Sequence, residues 1–277
     1  MLHIDPGATL DSWRAAARRL LQHRVPPEAV FWDEAESPLL SWQDESPASS
    51  PPAAPARVPA AFLDLAGRVI CHADAGRWAL LYRLLWRLTC GGERRLLGIP
   101  SDPDVIAALR MEKSIRREIH KMHAFVRFRK APGTDDQQEY FVAWFEPEHS
   151  IVELASPFFR DRFTNMDWSI FTPRGCVHWI GKSLRFTEPL ASDPTTRDEG
   201  ETLWKTYYAS IFNPARLKLR AMQSEMPKKF WKNLPETELI PRLIRQSDPR
   251  VRSMLTAPTR PALPIASQPY LESLKKF

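Results

Sequence analysis

The 277-residue chain contains only three cysteines and no long apolar segment. Cys71, Cys90 and Cys176 are an odd number at wide spacing, which argues against a disulfide framework, a zinc knuckle or a four-cysteine iron–sulfur site. No run approaches the roughly 18 apolar residues of a membrane span, and the N-terminus has neither the basic nor the apolar region of a secretory signal. We therefore expect a protein of the reducing cytoplasm that has no membrane partner.

Motifs of several common enzyme classes are also missing. The sequence contains no GxxxxGK[ST], GxGxxG, HExxH or GxSxG motif. The CxxC that follows the zinc ligand motif of nucleobase deaminases is absent as well. ATP-dependent, dinucleotide-dependent and serine-hydrolase chemistries therefore lose their usual markers, and we predict no cofactor.

Basic charge, by contrast, is concentrated in one segment of the chain. Residues Arg110–Lys130 contain eight Lys or Arg and two Glu, a net charge of +6 that equals the formal net charge of the whole chain. The pI of the sequence is about 9.3, which favours acidic partners. A basic stripe of this kind is typical of a surface that binds a polyanion such as nucleic acid.

The composition divides the chain into four predicted regions. They are an N-terminal strand–helix–strand element (1–36), a Pro-rich linker (37–59), a main α+β domain (60–245) and a Pro-rich C-terminal tail (246–277). In the tail and the linker, proline and polar residues replace the apolar periodicity that a packed core requires. The main domain is therefore the part expected to carry function.

Within the main domain, helices come first and strands follow. Asp102 and Pro103 predict the start of a helix that runs through Glu118, and Met122–Lys130 then alternates like a strand. Further predicted elements are a return strand (Tyr140–Glu146), a helix (Ser150–Phe163), two strands (168–172 and 177–186) and two helices (201–211 and 215–224). This order predicts an α+β fold with a central antiparallel sheet, made of hairpin, helix and strand pair, packed with several helices.

The predicted hairpin would present aromatic and basic side chains on one face. These are His123, Phe125, Arg127, Arg129, Tyr140, Trp144 and Glu146. Aromatic rings stack on bases, and guanidinium groups pair with phosphate. Four further residues complete the predicted nucleic-acid contacts, namely Arg116, Arg117 and Lys121 on the preceding helix and Arg216 after Asn213-Pro214 at a helix start. The alternative is that helices cover this face and its aromatic residues belong to the core.

A second group combines histidine and glutamate. His120 and His123 are three residues apart, and Glu146 stands three residues before His149. If the hairpin brings them together, His123, Glu146 and His149 are candidate acid–base or metal-binding groups. The alternative is that these histidines bond backbone groups or a neighbouring glutamate, and no metal site is predicted.

A third group consists of two arginines on one helix face. Arg83 and Arg87 are four residues apart within WALLYRLLWRL, so they lie on the same side of the predicted helix. They extend the basic surface, or they are solvated or pair with acids such as Glu93.

Several long motifs resemble one known family. In chain order they are RWALLYRLLWRL, DPDV, HKMHAFVRFR, FVAWFEPEH, SPFFRDRF, MDWSIFTP, LWKTYYASIFNPARL and EMPKKFWKNLPE. Together they resemble an uncharacterised bacterial family usually called "probable DNA metabolism protein", with similarity from about Phe62 to Ile244. Members of that family occur alone or fused to a UdgX-type uracil-DNA glycosylase, and are paired with a radical-SAM protein of DNA repair. The glycosylase's cysteine ligands are not among these 277 residues, so the resemblance implies neither uracil excision nor an iron–sulfur cluster here.

Three functions remain open at this point. The first is a DNA-binding accessory module that holds single-stranded or distorted DNA for a radical-SAM protein or a glycosylase. The second is a nucleic-acid-processing enzyme that uses the His/Glu group. The third is a protein-interaction adaptor whose basic stripe meets an acidic partner without contacting DNA.

Overall fold

The computed structural model describes residues 2–7, 9–33, 57–131, 140–192 and 219–247, together with residues 205, 209, 249 and 252. The chain forms two compact units, residues 1–198 and 199–277. Most of the predicted linker and C-terminal tail lies outside the described residues, and those region boundaries remain predictions.

The predicted N-terminal strand–helix–strand element is confirmed. Strands β1 (Leu2–Ile4) and β2 (Val30–Trp32) pair in parallel, and helix α1 (Leu10–Gln22) connects them. The apolar side of α1 packs into the same core as the helices that follow. The Tyr82 hydroxyl donates to the Val25 carbonyl at 2.7 Å, which ties this element to the next helical layer.

Three helices form the next layer. They are α2 (Ala60–Val69), α3 (Arg77–Thr89) and α4 (Pro103–Phe125). The buried core residues of α2 recur every three or four positions, as in an amphipathic helix, whereas α3 is buried over more of its circumference. The predicted start of α4 is confirmed, because the Asp102 carboxylate accepts from the backbone N–H groups of Asp104 and Val105 and Pro103 occupies the first helical position.

A five-stranded sheet follows in the same unit. Its strands are β3 (Arg129–Lys130), β4 (Tyr140–Trp144), β5 (Asp167–Phe171), β6 (Cys176–Ile180) and β7 (Ser183–Thr187). They are neighbours in chain order, and all pairs are antiparallel except β4 and β5. That one pair departs from the predicted antiparallel sheet because helix α5 (Val152–Arg162) crosses over between the two strands, a connection that returns the chain in parallel. The α+β class, with a central sheet and several helices, is confirmed.

The strand predicted for Met122–Lys130 is wrong over most of its length. Helix α4 continues to Phe125, and only Arg129 and Lys130 pair with β4. Two periodicities compete in this segment. Ile115, Met122 and Val126 are buried at helical spacing, and their burial outweighs the alternation that favours a strand.

The predicted helix at 150–163 and the strand near 168 are confirmed, while the strand predicted for 177–186 is two strands. Gly181 and Lys182 both have positive φ, at 53° and 66°, which is the conformation of a two-residue hairpin turn between β6 and β7. In α5, Pro157 has no N–H for the Glu153 carbonyl, and the Ser156 hydroxyl donates to that carbonyl at 2.9 Å instead.

The second unit contains short helices in its described part. These are α6 (Leu219–Glu225), two 3₁₀ helices (Lys228–Asn233 and Pro235–Leu239) and α7 (Ile240–Arg245). Phe230, Leu234, Ile240 and Leu243 are buried. The helices predicted for 201–211 and 215–224 fall largely outside the described residues. Among the described helices, none has the length and apolar character needed to cross a membrane.

Candidate nucleic-acid interface

Helix α4 presents a row of basic side chains to solvent. Arg110, Lys113, Arg116, Arg117 and His120 are all exposed, and we call them the basic face of α4. At about 100° per residue, these five positions fall within an arc of roughly 120° on the helix. The opposite side of α4, which includes Ala108, Ile115 and Met122, is buried. Burial of one apolar side therefore fixes which cations face outward.

The two acids of the same segment do not lie on the basic face. Glu112 pairs with Arg68 at 2.8 Å. Glu118 is only 6% exposed, and its two carboxylate oxygens each accept a backbone N–H at 2.8 Å, from Glu148 and His149. Within the described part of the chain, Arg110, Lys113, Arg116 and Arg117 form no ion pair. These four side chains can therefore bind an anionic ligand.

An exposed aromatic ring adjoins the C-terminal end of this face. Phe158 of α5 is 43% exposed and stacks on His123 of α4, with ring centroids 4.1 Å apart and planes at 19°. His123 Nε2 donates to the Ala155 carbonyl at 3.2 Å, which fixes the imidazole against α5. Burial is the main cause that lowers the pKa of His123, so the stacked ring is favoured in its neutral form.

The aromatic residues predicted to stack on bases are mostly engaged within the protein. Trp144 is 6% exposed, and its indole N–H donates to Glu146 at 2.8 Å. Phe125 ends α4, half-buried, with the ammonium of the buried Lys121 5.8 Å from its ring centroid. The continuation of α4 explains the placement of Phe125, because a helical Phe125 does not take part in the alternation predicted for a strand. The predicted phosphate contact of Lys121 on the preceding helix is wrong, because this side chain is only 5% exposed.

The predicted arginines separate into different environments. Arg116 and Arg117 lie on the basic face of α4, as described above. Arg127 donates to the carbonyls of Ala124 (2.7 Å) and Val126 (3.2 Å), so it caps the end of α4. Arg129 is half-buried on β3, and Arg216 lies outside the described residues. Only the helical part of the predicted stripe is thus a continuous basic surface.

The His/Glu group does not form a shared site. His123 bonds Ala155, Glu146 bonds Trp144, and His149 bonds Ala73 and Ser114. No group of three or more His, Cys, Asp or Glu with metal-binding geometry occurs among the described residues. The alternative foreseen from the sequence, in which the histidines bond backbone groups, matches the contacts of His123 and His149.

His149 and Ser114 resemble a nucleophile–base pair by distance alone. The Ser114 Oγ lies 2.8 Å from His149 Nε2. However, His149 Nδ1 accepts from the Ala73 backbone N–H at 3.2 Å, so the proton of the neutral imidazole is on Nε2. That nitrogen donates to Ser114 and cannot take its proton. The 3% exposed His149 therefore joins the loop before α5 to α4 and to the α2–α3 loop.

Arg83 and Arg87 pair with acids and do not extend the basic surface. Arg87 donates to Glu93, Asp102 and Asp104 at distances of 2.6–3.1 Å, and Arg83 donates to Asp104. Hydrogen bonds from Arg87 lower the pKa of Asp102 and of Glu93. With three carboxylates around two guanidinium groups, the cluster is not a phosphate site. Of the alternatives that the sequence left open, pairing with acids is the one observed, and Glu93 is a partner of Arg87.

The free thiol of Cys71 is not suited to act as a nucleophile. Burial, with a smaller effect of Glu153, raises the pKa of Cys71 to about 11. A thiol with that pKa stays protonated at neutral pH and is a poor nucleophile.

A polar row crosses the sheet on the face opposite α5. Tyr140 of β4 bonds the hydroxyl of Ser169 on β5, Ser169 bonds Nδ1 of His178 on β6, and His178 Nε2 lies 2.8 Å from the Thr187 hydroxyl on β7. Burial lowers the pKa of His178, which favours its neutral form, with one nitrogen donating and the other accepting. The other face of the sheet is apolar, with Trp168 packed on Phe128 and Phe159. The row therefore links four strands through side chains.

Removing the central hydroxyl of this row should destabilise the sheet. Ser169 is fully buried, so Ser169→Ala leaves Tyr140 and His178 without their shared partner, and we expect a loss of about 1–3 kcal/mol of unfolding free energy. Urea denaturation measures it. The exposed Ser183→Ala on β7 is the matched control and should change stability by less than about 0.5 kcal/mol. Equal effects of the two substitutions would contradict the role given to Ser169.

Phe158 was missed by sequence reasoning, although a signal was present. Leu154, Phe158 and Arg162 recur every four residues in the predicted helix, and all three are exposed. An apolar residue at that spacing normally indicates the buried side, and the buried side of α5 instead holds Val152, Ala155 and Phe159. Because α5 has two rows of apolar residues and only one of them can face the core, the sequence already indicated that the other row is exposed.

Comparison with known proteins gives one match. A family model described as a domain of unknown function, DUF4130, matches residues 75–236. This range contains the basic face of α4, the whole of α5 and the five-stranded sheet. Searches of curated proteins and of solved structures found no match.

Proposed function

The chain belongs to the DUF4130 family, and we propose that it is a DNA-binding accessory module of a bacterial repair or modification system. The observation that carries the proposal is the basic face of α4. Four Lys or Arg side chains are exposed there in about two turns of helix, and the two acids of the segment are engaged elsewhere. Closely spaced exposed cations matched to a regular array of phosphates are the usual basis of sequence-independent nucleic-acid binding.

The partners follow from the resemblance to the "probable DNA metabolism protein" family. We propose that the module holds single-stranded or distorted DNA and delivers it to a radical-SAM repair protein, or to a uracil-DNA glycosylase. The free cysteines support a site of action in the reducing cytoplasm. His123, Glu146 and His149 have separate partners, so we propose no reaction at those residues.

Salt dependence of binding tests this function. A labelled single-stranded oligonucleotide should bind the full chain with a slope of log affinity against log salt of about −3, because each of four phosphate contacts contributes roughly −0.7. Fluorescence anisotropy between 50 and 300 mM salt provides the measurement. A slope near zero would contradict the proposal, since contacts that release no counterions do not involve phosphates.

The adaptor hypothesis gives a different result in the same experiment. If the basic face of α4 meets an acidic protein surface, the chain should retain no oligonucleotide even at low salt and should co-purify with the radical-SAM partner. That outcome would replace DNA with a protein as the ligand of this face.

A further inference from the structure

Phe158 lies beside the C-terminal end of the basic face of α4. Its ring stacks on His123, which lies one turn after His120 and two turns after Arg116 on α4. At about 1.5 Å per residue, Arg116 is roughly 10 Å from the level of His123 along the helix axis, a distance that spans a few nucleotides. Arg162 is exposed one turn after Phe158 on the same side of α5, and it adds a further cation near this surface.

We propose that Phe158 is a base-stacking platform, so that the preferred ligand of this surface is DNA with unpaired bases. This inference rests on the proposed DNA-binding function. Stacking on an aromatic ring is open to any base, because every base has a π-face, and it requires a base that is not already stacked between its neighbours in a duplex. Phosphates along the basic face of α4 and one base on Phe158 together define a short single-stranded site.

The ring is held in position before any ligand arrives. His123 covers one face of Phe158, and the ring of Phe159 contacts it edge-on with centroids 5.3 Å apart. Phe159 is itself fully buried in the core. A braced ring loses little side-chain freedom on binding, so more of the stacking energy contributes to affinity.

The test compares single-stranded and duplex oligonucleotides of the same sequence. Phe158→Ala should weaken single-strand binding roughly ten-fold or more, leave duplex binding unchanged and leave the salt slope unchanged, because the ring carries no charge. Phe158→Leu keeps an apolar side chain in contact with His123 but removes the ring, and it should show the same loss in a chain that remains folded. Phe158→Trp should retain or increase single-strand affinity.

The matched control is Phe186→Ala on β7. Phe186 is 46% exposed, close to the exposure of Phe158, but it lies on a sheet edge. Equal affinities for the wild type, Phe158→Ala and Phe158→Leu would overturn the stacking role, while a steep salt slope in the same data would leave the DNA-binding function standing. Absence of salt-dependent binding in the wild type would instead overturn both.

Discussion

Arg116→Ala/Arg117→Ala should weaken binding to a single-stranded oligonucleotide by about 25-fold at about 0.1 M salt and reduce the salt slope by about 1.4. Both numbers come from the loss of two phosphate contacts, each worth about 0.7 in the slope for single strands. Both side chains are exposed in the middle of α4, and alanine is a good helix former, so the fold should be retained. Anisotropy titrations at four or more salt concentrations give the slope and the affinity together.

The chain offers a control with the same change in composition and charge. Arg18 and Arg19 are also consecutive, exposed arginines on a helix, in α1. Arg18→Ala/Arg19→Ala should leave the slope within error of the wild type, because these two side chains are on α1 and are not part of the basic face of α4. If both double variants lose binding equally, the protein attracts DNA through its net charge alone, and the basic face of α4 is not the site.

The basic segment shows what sequence patterns could and could not establish. Its charge is read directly from the residues, and the start of α4 follows from the local chemistry of Asp102 and Pro103. The end of α4 cannot be predicted from local sequence, because Met122–Lys130 satisfies both a helical and an alternating pattern. The conflict is decided by contacts to α5, such as the bond from His123 to Ala155, and these are 32 residues away in sequence.

In the sheet, too, some features can be predicted from local sequence and others cannot. The alternation of β4 correctly separates Phe141 and Ala143 from Tyr140 and Trp144, because the register pairs the first two with Trp168 and Ile170 on the helix-covered face. The alternation does not indicate which elements of the protein cover each face of the sheet. The polar row from Tyr140 to Thr187 depends on the register of four strands, and no local pattern encodes that register.

Glu118 is the position where the sequence interpretation was least informative. Counted by charge, it is an acid that reduces the basic stripe, yet it is buried and bonds the loop before α5. Its two bonds join residues 30 and 31 positions apart. This contact holds the loop against the buried side of α4, away from the basic face.

Glu118→Ala should therefore lower the unfolding free energy by roughly 2–6 kcal/mol, because it leaves two backbone N–H groups without acceptors at about 1–3 kcal/mol each. Total stabilities of folded domains are about 5–15 kcal/mol, so this is a large share. Glu118→Gln keeps one good acceptor and should lose about half as much. Urea denaturation measures the loss, and hydrogen exchange at the amides of Glu148 and His149 should accelerate in the same order.

The control is Glu112→Ala, less than two turns earlier on the same helix. Glu112 pairs with an exposed Arg68, and ion pairs of that kind contribute less than about 1 kcal/mol. Either substitution removes one negative charge, so a difference between them reports the contacts of the buried Glu118 carboxylate and not the loss of a charge in general. If Glu118→Ala costs no more than Glu112→Ala and amide exchange at residues 148 and 149 is unchanged, then the buried carboxylate does not hold the loop.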